Sequence, residues 1–219
     1  MDNLAQAVMI LQESLLFEQP LPEPQKAQVL QTIRSSFKQD NPYLGFVYKS
    51  FDRKKGLQMI GGEKLHTKTG AFNVLGLESA RLLQLFEDQE ARENILPEIE
   101  KRLKAACFAA DCTQGECAHA TAALWRYQAA GGLPQNKQNL SSQLRKLQKQ
   151  RETFGSWKGY PFYYTLLALL ELNTPLAESE IKAVSESCVR RLKRVRARNA
   201  PCLTPRRIIL EKALEKAAV

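Results

Sequence analysis

Apolar residues recur along this chain at helical spacing, and they do so in two alternating styles. The first style is apolar on nearly every side. From Pro161 to Leu172 the sequence Pro-Phe-Tyr-Tyr-Thr-Leu-Leu-Ala-Leu-Leu-Glu-Leu carries a single charged residue, and a helix without a polar face is buried all round. Pro161 suits a first helical turn, and Gly155-Ser156-Trp157-Lys158-Gly159 ahead of it reads as a tight loop anchored by an aromatic side chain. Segment 69–87, with Phe72, Leu75, Leu77, Leu82, Leu83 and Phe86, has the same style, as does alanine-rich segment 116–130 with Leu124, Trp125 and Tyr127. The second style is charged and amphipathic. A helix beginning near Pro97 and running to about Ala110 points Ile99, Leu103 and Ala106 inward, and segment 139–152 does so with Leu140, Leu144 and Leu147. Segment 175–196 places Ile181, Val184, Cys188, Leu192 and Val195 on one face, which turns its arginines outward.

Before this alternation lies an N-terminal helical pair, residues 1–40. Leu4, Val8, Leu11, Leu15 and Phe17 mark its first helix, Pro20, Pro22 and Pro24 break it, and Ala27, Leu30, Ile33 and Phe37 mark its second. Residues 41–68 keep no helical period and hold Gly45, Gly56, Gly61 and Gly62, which predicts a long ordered loop with a short strand or hairpin. That loop reads either as a lid over a concave face or as a plain connector. Residues 69–198 form the alternating region. Cap-proline signals at Thr174-Pro175 and Thr204-Pro205 open the last two helices, the second within a C-terminal segment 199–219. Gly131-Gly132-Leu133-Pro134 stops the alanine-rich helix.

An apolar helix followed by a charged one, three times over, is the mark of an array of helical hairpins. Superposing the apolar helices aligns Asn73, His119 and Tyr164, at a period near 45 residues. The predicted fold is therefore all-α and single-domain, built of repeated helical hairpins with inner and outer helix layers. Asn73, His119 and Tyr164, with Glu78 and Arg126 nearby, would then line one mouth of a concave, largely apolar site.

The segment Gly155-Ser156-Trp157 ahead of Pro161-Phe162-Tyr163-Tyr164-Thr165-Leu166-Leu167-Ala168-Leu169 resembles the inner-helix segments of the α/α-toroid superfamily, which includes squalene–hopene cyclases and the β subunits of protein prenyltransferases. The resemblance covers residues 69–196 and implies inner and outer helix rings around a cavity that holds an isoprenoid chain. Three clear hairpins plus the N-terminal pair imply a partial arc, open or closed by dimerisation, because the family's ring has more hairpins. The cyclases' Asp-x-Asp-Asp motif is absent. The prenyltransferases' zinc histidine, in a Phe-Tyr-His-Thr segment, is matched here by Tyr164, so that zinc site does not carry over. The scaffold implies an apolar or peptide-like ligand, with Asn73, Trp125, Arg126, Trp157, Tyr160 and Tyr163 as binding residues and His119, Cys117 and Tyr164 as candidates for chemistry.

Composition adds two further chemistries. Cys107, Cys112 and Cys117 lie close to Asp111, Glu116 and His119 in sequence, a donor set suited to zinc or an iron–sulfur cluster, although it lacks the tight Cys-x2-Cys knuckle. His66, Cys188 or Cys202 could add a ligand in space. Otherwise the cysteines fill a helix junction capped by Asp111 and Thr113, or Cys117 in a first helical turn is a reactive thiol with His66 as its base. The net charge of +9 is local: Arg190, Arg191, Lys193, Arg194, Arg196, Arg198, Arg206 and Arg207 supply all but +1 of it. Arg190, Arg194 and Arg198 form a stripe, with Arg191 beside it, that would suit nucleic-acid phosphates or lie solvated on an outer helix. A weaker basic cluster comprises Lys137, Arg145, Lys146, Lys149 and Arg151. No apolar run has the length of a membrane span, the N-terminus lacks the pattern of a signal peptide, and the odd cysteine count points to reduced thiols. The expected setting is the cytoplasm.

Overall fold

A computed structural model describes residues 4–110, 112–133, 137–198 and 203–218. Among them the chain is all-α apart from one small ribbon. Helices α1 (Leu4–Leu16) and α2 (Glu23–Ser35) pack on each other as the N-terminal pair. An irregular stretch then leads to β1 (Leu57–Gln58) and β2 (Lys64–Leu65), which pair antiparallel with Leu57 opposite Leu65 and Gln58 opposite Lys64. There follow α3 (Lys68–Leu85), α4 (Gln89–Asn94), α5 (Leu96–Leu103), a 3-10 turn (Cys107–Ala110), α6 (Cys117–Ala129), α7 (Lys137–Lys149), α8 (Phe162–Glu171), α9 (Pro175–Ala183), α10 (Ser185–Arg198) and α11 (Thr204–Ala217). No helix among the described residues is long and apolar enough to cross a membrane.

The helices with no polar face become the interior, as burial of apolar surface requires. α3 packs on α6, α6 on α8 and α8 on α11, while α1 packs on α3 and also touches α11. The amphipathic helices lie outside them and bury single faces: Leu144 and Leu147 from α7, and Cys188, Leu192 and Val195 from α10. Trp125 of α6 is wholly buried, donates to Gln143 of α7 at 2.8 Å and stacks on Tyr160 at 5.8 Å. Trp157 donates to the buried Glu180 of α9 at 2.9 Å and stacks on Phe162 at 5.6 Å. Each indole thus fixes one outer helix to the interior.

Three boundaries differ from the sequence expectation. The charged segment after Glu90 is two short helices and a 3-10 turn. Pro97 in the first turn of α5 lacks the amide hydrogen that would continue the helix from α4. The helix expected over 175–196 breaks at buried Val184 (φ −103, ψ 6), and both halves pack on α11. The cap-proline reading holds at Thr174, whose hydroxyl accepts from the Ala177 amide at 3.2 Å. At Thr204 it does not, because Thr204 is already helical and α11 starts without a side-chain cap.

The ribbon is more than a connector. Its tip buries Met59 and Ile60, and Glu63 Oε1 accepts the Tyr163 and Tyr164 amides at 3.0 and 3.2 Å. Helix α8 has no side-chain cap of its own, so the ribbon supplies one. Arg206 of α11 donates to the Gly61 carbonyl at 2.7 Å and fastens the other side.

Candidate metal centre

The 3-10 turn holds Cys107 and the first residue of α6 is Cys117, so the intervening loop folds back on itself. The Cys112 amide donates to the Cys107 carbonyl at 3.3 Å, and the Cys117 amide donates to the Gln114 carbonyl at 3.1 Å. Behind the loop stands Thr121, one turn into α6 and fully buried. Its hydroxyl lies 3.2 Å from the Phe108 carbonyl, 3.3 Å from that of Cys112 and 3.2 Å from that of Cys117. The hydroxyl has one proton to give, so it donates to one of these carbonyls at a time, at the point where the three cysteine-bearing stretches come together.

On the outer side of this post the three sulfurs converge. Cys107, Cys112 and Cys117 have Sγ atoms all within 4.8 Å of one another, and Cys107 and Cys117 are 3.9 Å apart. Cys107 is exposed and the other two are half-buried. The Gln114 amide stabilises the Cys112 thiolate and lowers its pKa, whereas burial and then its two thiol neighbours push Cys117 up to about 12. Three thiols this close cannot all ionise without a cation among them. Different cations would set different spacings. Thiolates bound tetrahedrally to one zinc at about 2.3 Å stand roughly 3.8 Å apart. Thiolates on separate irons of a cluster stand farther apart, because each carries its own metal. The Cys107–Cys117 separation is 3.9 Å, and no pair among the three sulfurs exceeds 4.8 Å.

The other sequence candidates are distributed as follows. His119 points elsewhere from the thiols, since residues two apart on a helix do not share a face. Its Nδ1 is buried without a hydrogen-bond partner, and burial, opposed by the nearby Glu116, lowers its pKa to about 4. His66 is exposed, with Nδ1 3.1 Å from the Arg53 carbonyl. Its backbone amide and that of Thr67 donate to Glu116, which thus braces Thr67, the residue whose hydroxyl caps α3 by accepting from the Gly70 amide at 3.0 Å. Cys188 is buried in α10, where its thiol is pushed up to about 11 by burial. Asp111, Pro134 and Cys202 lie outside the described residues.

Of the residues expected at the mouth of the concave site, the inner helices bring together Tyr164, Glu78 and Arg126, whose guanidinium lies 5.3 Å from the Tyr164 ring centre. Two turns further along, Arg81 of α3, Arg126 of α6 and Glu171 of α8, the last two 45 residues apart and the outer two 90, form one ion network with Glu78. Arg126 grips Glu171 with two nitrogens at 2.9 Å and also donates to Glu78; Arg81 reaches Glu171 at 2.6 Å and Glu78 at 3.4 Å. Burial would favour a neutral Arg126, but Glu171 and Glu78 hold it charged. The Tyr164 hydroxyl donates to Glu78, and burial together with that carboxylate raises its pKa well above the ordinary phenol value. The phenol therefore keeps its proton.

Beneath the ribbon tip a cavity of about 20 Å³, walled by Val8, Met59, Ile60, Leu75, Glu78 and Tyr164, has room for about one water. A wider groove of about 630 Å³ opens between α5, the 3-10 turn, α6 and α7, lined by Leu103, Ala106 and Leu124 with Glu100, Lys101 and Lys104. Tyr163 lies under the guanidinium of Arg206, 4.6 Å from its ring centre. In the arginine stripe, Arg190 donates to the Phe154 carbonyl at 2.9 Å and Arg191 stacks 3.9 Å above Phe162, while Arg194 and Arg198 are exposed. Sequence reasoning missed Glu63 and Arg81, and it offered Glu116 as a metal donor, whereas its carboxylate accepts from the His66 and Thr67 amides. Glu63 caps a helix begun about a hundred residues further along the chain, and no local pattern marks it.

No family model, curated protein or solved structure matches this chain.

Proposed function

We propose that this protein binds a single thiophilic divalent ion, Zn²⁺, through Cys107, Cys112 and Cys117. The observation that carries the proposal is the convergence of three sulfurs within 4.8 Å, at spacings suited to one ion. Zinc favours thiolate ligands and takes four ligands in all, so a water or one further donor would complete its shell. Bound there, the ion ties the 3-10 turn, the following loop and the start of α6 into one joint. It acts as a clip at the junction between an outer segment and an inner helix.

An apolar ligand in the concave face has less to support it, because the space under the ribbon tip is about 20 Å³. The 45-residue register of Arg126 and Glu171 favours a repeated-hairpin, toroid-like relationship among the inner helices. Elemental analysis of protein purified under reducing conditions tests the zinc proposal. One zinc per chain is expected, falling below a tenth of that in Cys112→Ser. Replacement by Co²⁺ should bring intense thiolate-to-cobalt absorption in the near ultraviolet. Protein free of metal that gives no such band on Co²⁺ titration would refute the proposal. Stoichiometric iron with labile sulfide would replace it with a cluster.

A further inference from the structure

We infer that Cys107 and Cys117 are a peroxide-sensitive thiol pair whose oxidation to a disulfide expels the bound ion; the inference rests on the zinc reading above. Their sulfurs are in contact at 3.9 Å. A disulfide brings sulfurs to about 2.05 Å, so closure needs an approach of roughly 2 Å. Both residues stand at the ends of elements, Cys107 opening the 3-10 turn and Cys117 opening α6, where side-chain rotation displaces little of the core. Cys107 is also the exposed member, so an oxidant in solvent reaches it first.

The chemistry balances with hydrogen peroxide as the oxidant. The Cys107 thiolate attacks one peroxide oxygen, the O–O bond breaks, and hydroxide leaves, giving a sulfenic acid. The Cys117 thiolate then attacks the Cys107 sulfur, the S–O bond breaks, and a second hydroxide leaves as the disulfide forms. Two solvent protons convert the two hydroxides to water. Peroxide is reduced by two electrons and the thiolate pair is oxidised by two. Zinc does not change its oxidation state. It loses two of three protein ligands, and Cys112 alone does not hold it. A dithiol reductant restores both thiolates and the site.

The test uses the full chain in two forms. Trypsin leaves all three cysteines on one peptide between Lys104 and Arg126, so cleavage at Asp111 and Glu116 is needed to separate them. Zinc-loaded protein is treated with hydrogen peroxide while a chromogenic chelator reads released metal. The expected result is one zinc released per Cys107–Cys117 disulfide, reversed by dithiothreitol. Cys112→Ser should still form that disulfide in the metal-free state, and Cys117→Ser should not. Stepwise oxidation of Cys107 to sulfinic acid, or a disulfide joining Cys107 to Cys112, would overturn the inference while leaving zinc binding by reduced protein intact. Reduced protein that takes up no zinc would overturn the zinc reading itself, and the metal-free peptide map would still report the pairing separately.

Discussion

Replacing Arg126 by methionine is the sharpest probe of what holds the inner helices in register. The Arg126 side chain is 3% exposed, and its guanidinium satisfies Glu171 with two bonds at 2.9 Å while also pairing with Glu78. Its removal leaves two carboxylates facing one remaining cation, Arg81, which reaches Glu78 only at 3.4 Å. Breaking a buried ion pair by deleting one partner costs about 3–5 kcal/mol, because the abandoned charge stays desolvated. Taking a urea slope of about 3 kcal/mol per molar for a chain of this size, the midpoint should fall by about 1–2 M. Circular dichroism through a urea titration reads this directly. The loss should also depend on pH. Burial tends to raise the Glu171 carboxyl, but Arg126 and Arg81 outweigh it and hold the group below the usual range. Its contribution is thus present above the unfolded-state pKa and disappears as pH falls through the lower folded value. Wild type and variant should therefore converge as pH drops from 7 toward 3. A second change, Glu171→Gln, should return part of the lost stability in the variant by removing one unpaired carboxylate. A cost under about 1 kcal/mol, or a gap unaffected by acid, would refute the reasoning that this network is a buried, mutually dependent set.

Two further outcomes are expected. Gly45 has φ +85, and a Cβ there would sit 2.2 Å from Phe37 Cε2, so Gly45→Ala should cost at least about 1–2 kcal/mol in the same urea assay. An unchanged midpoint would count against the packing of the Phe37–Phe46 corner. His119 is held neutral by burial, with its pKa lowered to about 4 from 6.5, so the unfolded chain binds a proton that the folded chain refuses between those values. Stability should fall as pH is lowered through that window, and His119→Asn should flatten the slope; a wild-type slope retained in the variant would exclude His119 as its source.

How much of this was legible in the sequence differs from element to element. The all-α fold followed from runs such as Phe162–Glu171, in which Glu171 is the one charged residue, and such a signal survives any tertiary context. A period near 45 residues was read from the apolar helices, and Arg126 and Glu171, which pair, are that far apart. Of the landmarks Asn73, His119 and Tyr164, the last does meet Glu78 and Arg126, and the network extends two turns on to Glu171 and Arg81. Charges placed in otherwise apolar helices at that same period, Arg126 and Glu171, were the better signal, since a buried charge has to find a partner. The break at Val184 was invisible, because the apolar spacing of Ile181, Val184 and Cys188 runs unbroken through it. The cysteines were visible as a candidate but not as a site. Their convergence depends on a 3-10 turn and on the Thr121 hydroxyl behind it, and neither shows in the spacing of the thiols.

The position of the sulfur cluster determines what the proposed ion can do for stability. In a zinc finger the metal replaces a core, and the chain is unfolded without it. Here the interior is formed by α1, α3, α6, α8 and α11 independently of the thiols, and Thr121 already ties the cysteine loop to α6. Binding free energy released at the joint therefore adds to a fold that stands alone. Chelation should lower the unfolding midpoint and leave a cooperative transition in place, with the loss concentrated in amide protection from Cys107 to Thr121. A chain that unfolded outright on chelation would mean that the joint, and not the helical interior, is where this fold is held. Protection lost evenly across α3 and α8 would lead to the same conclusion.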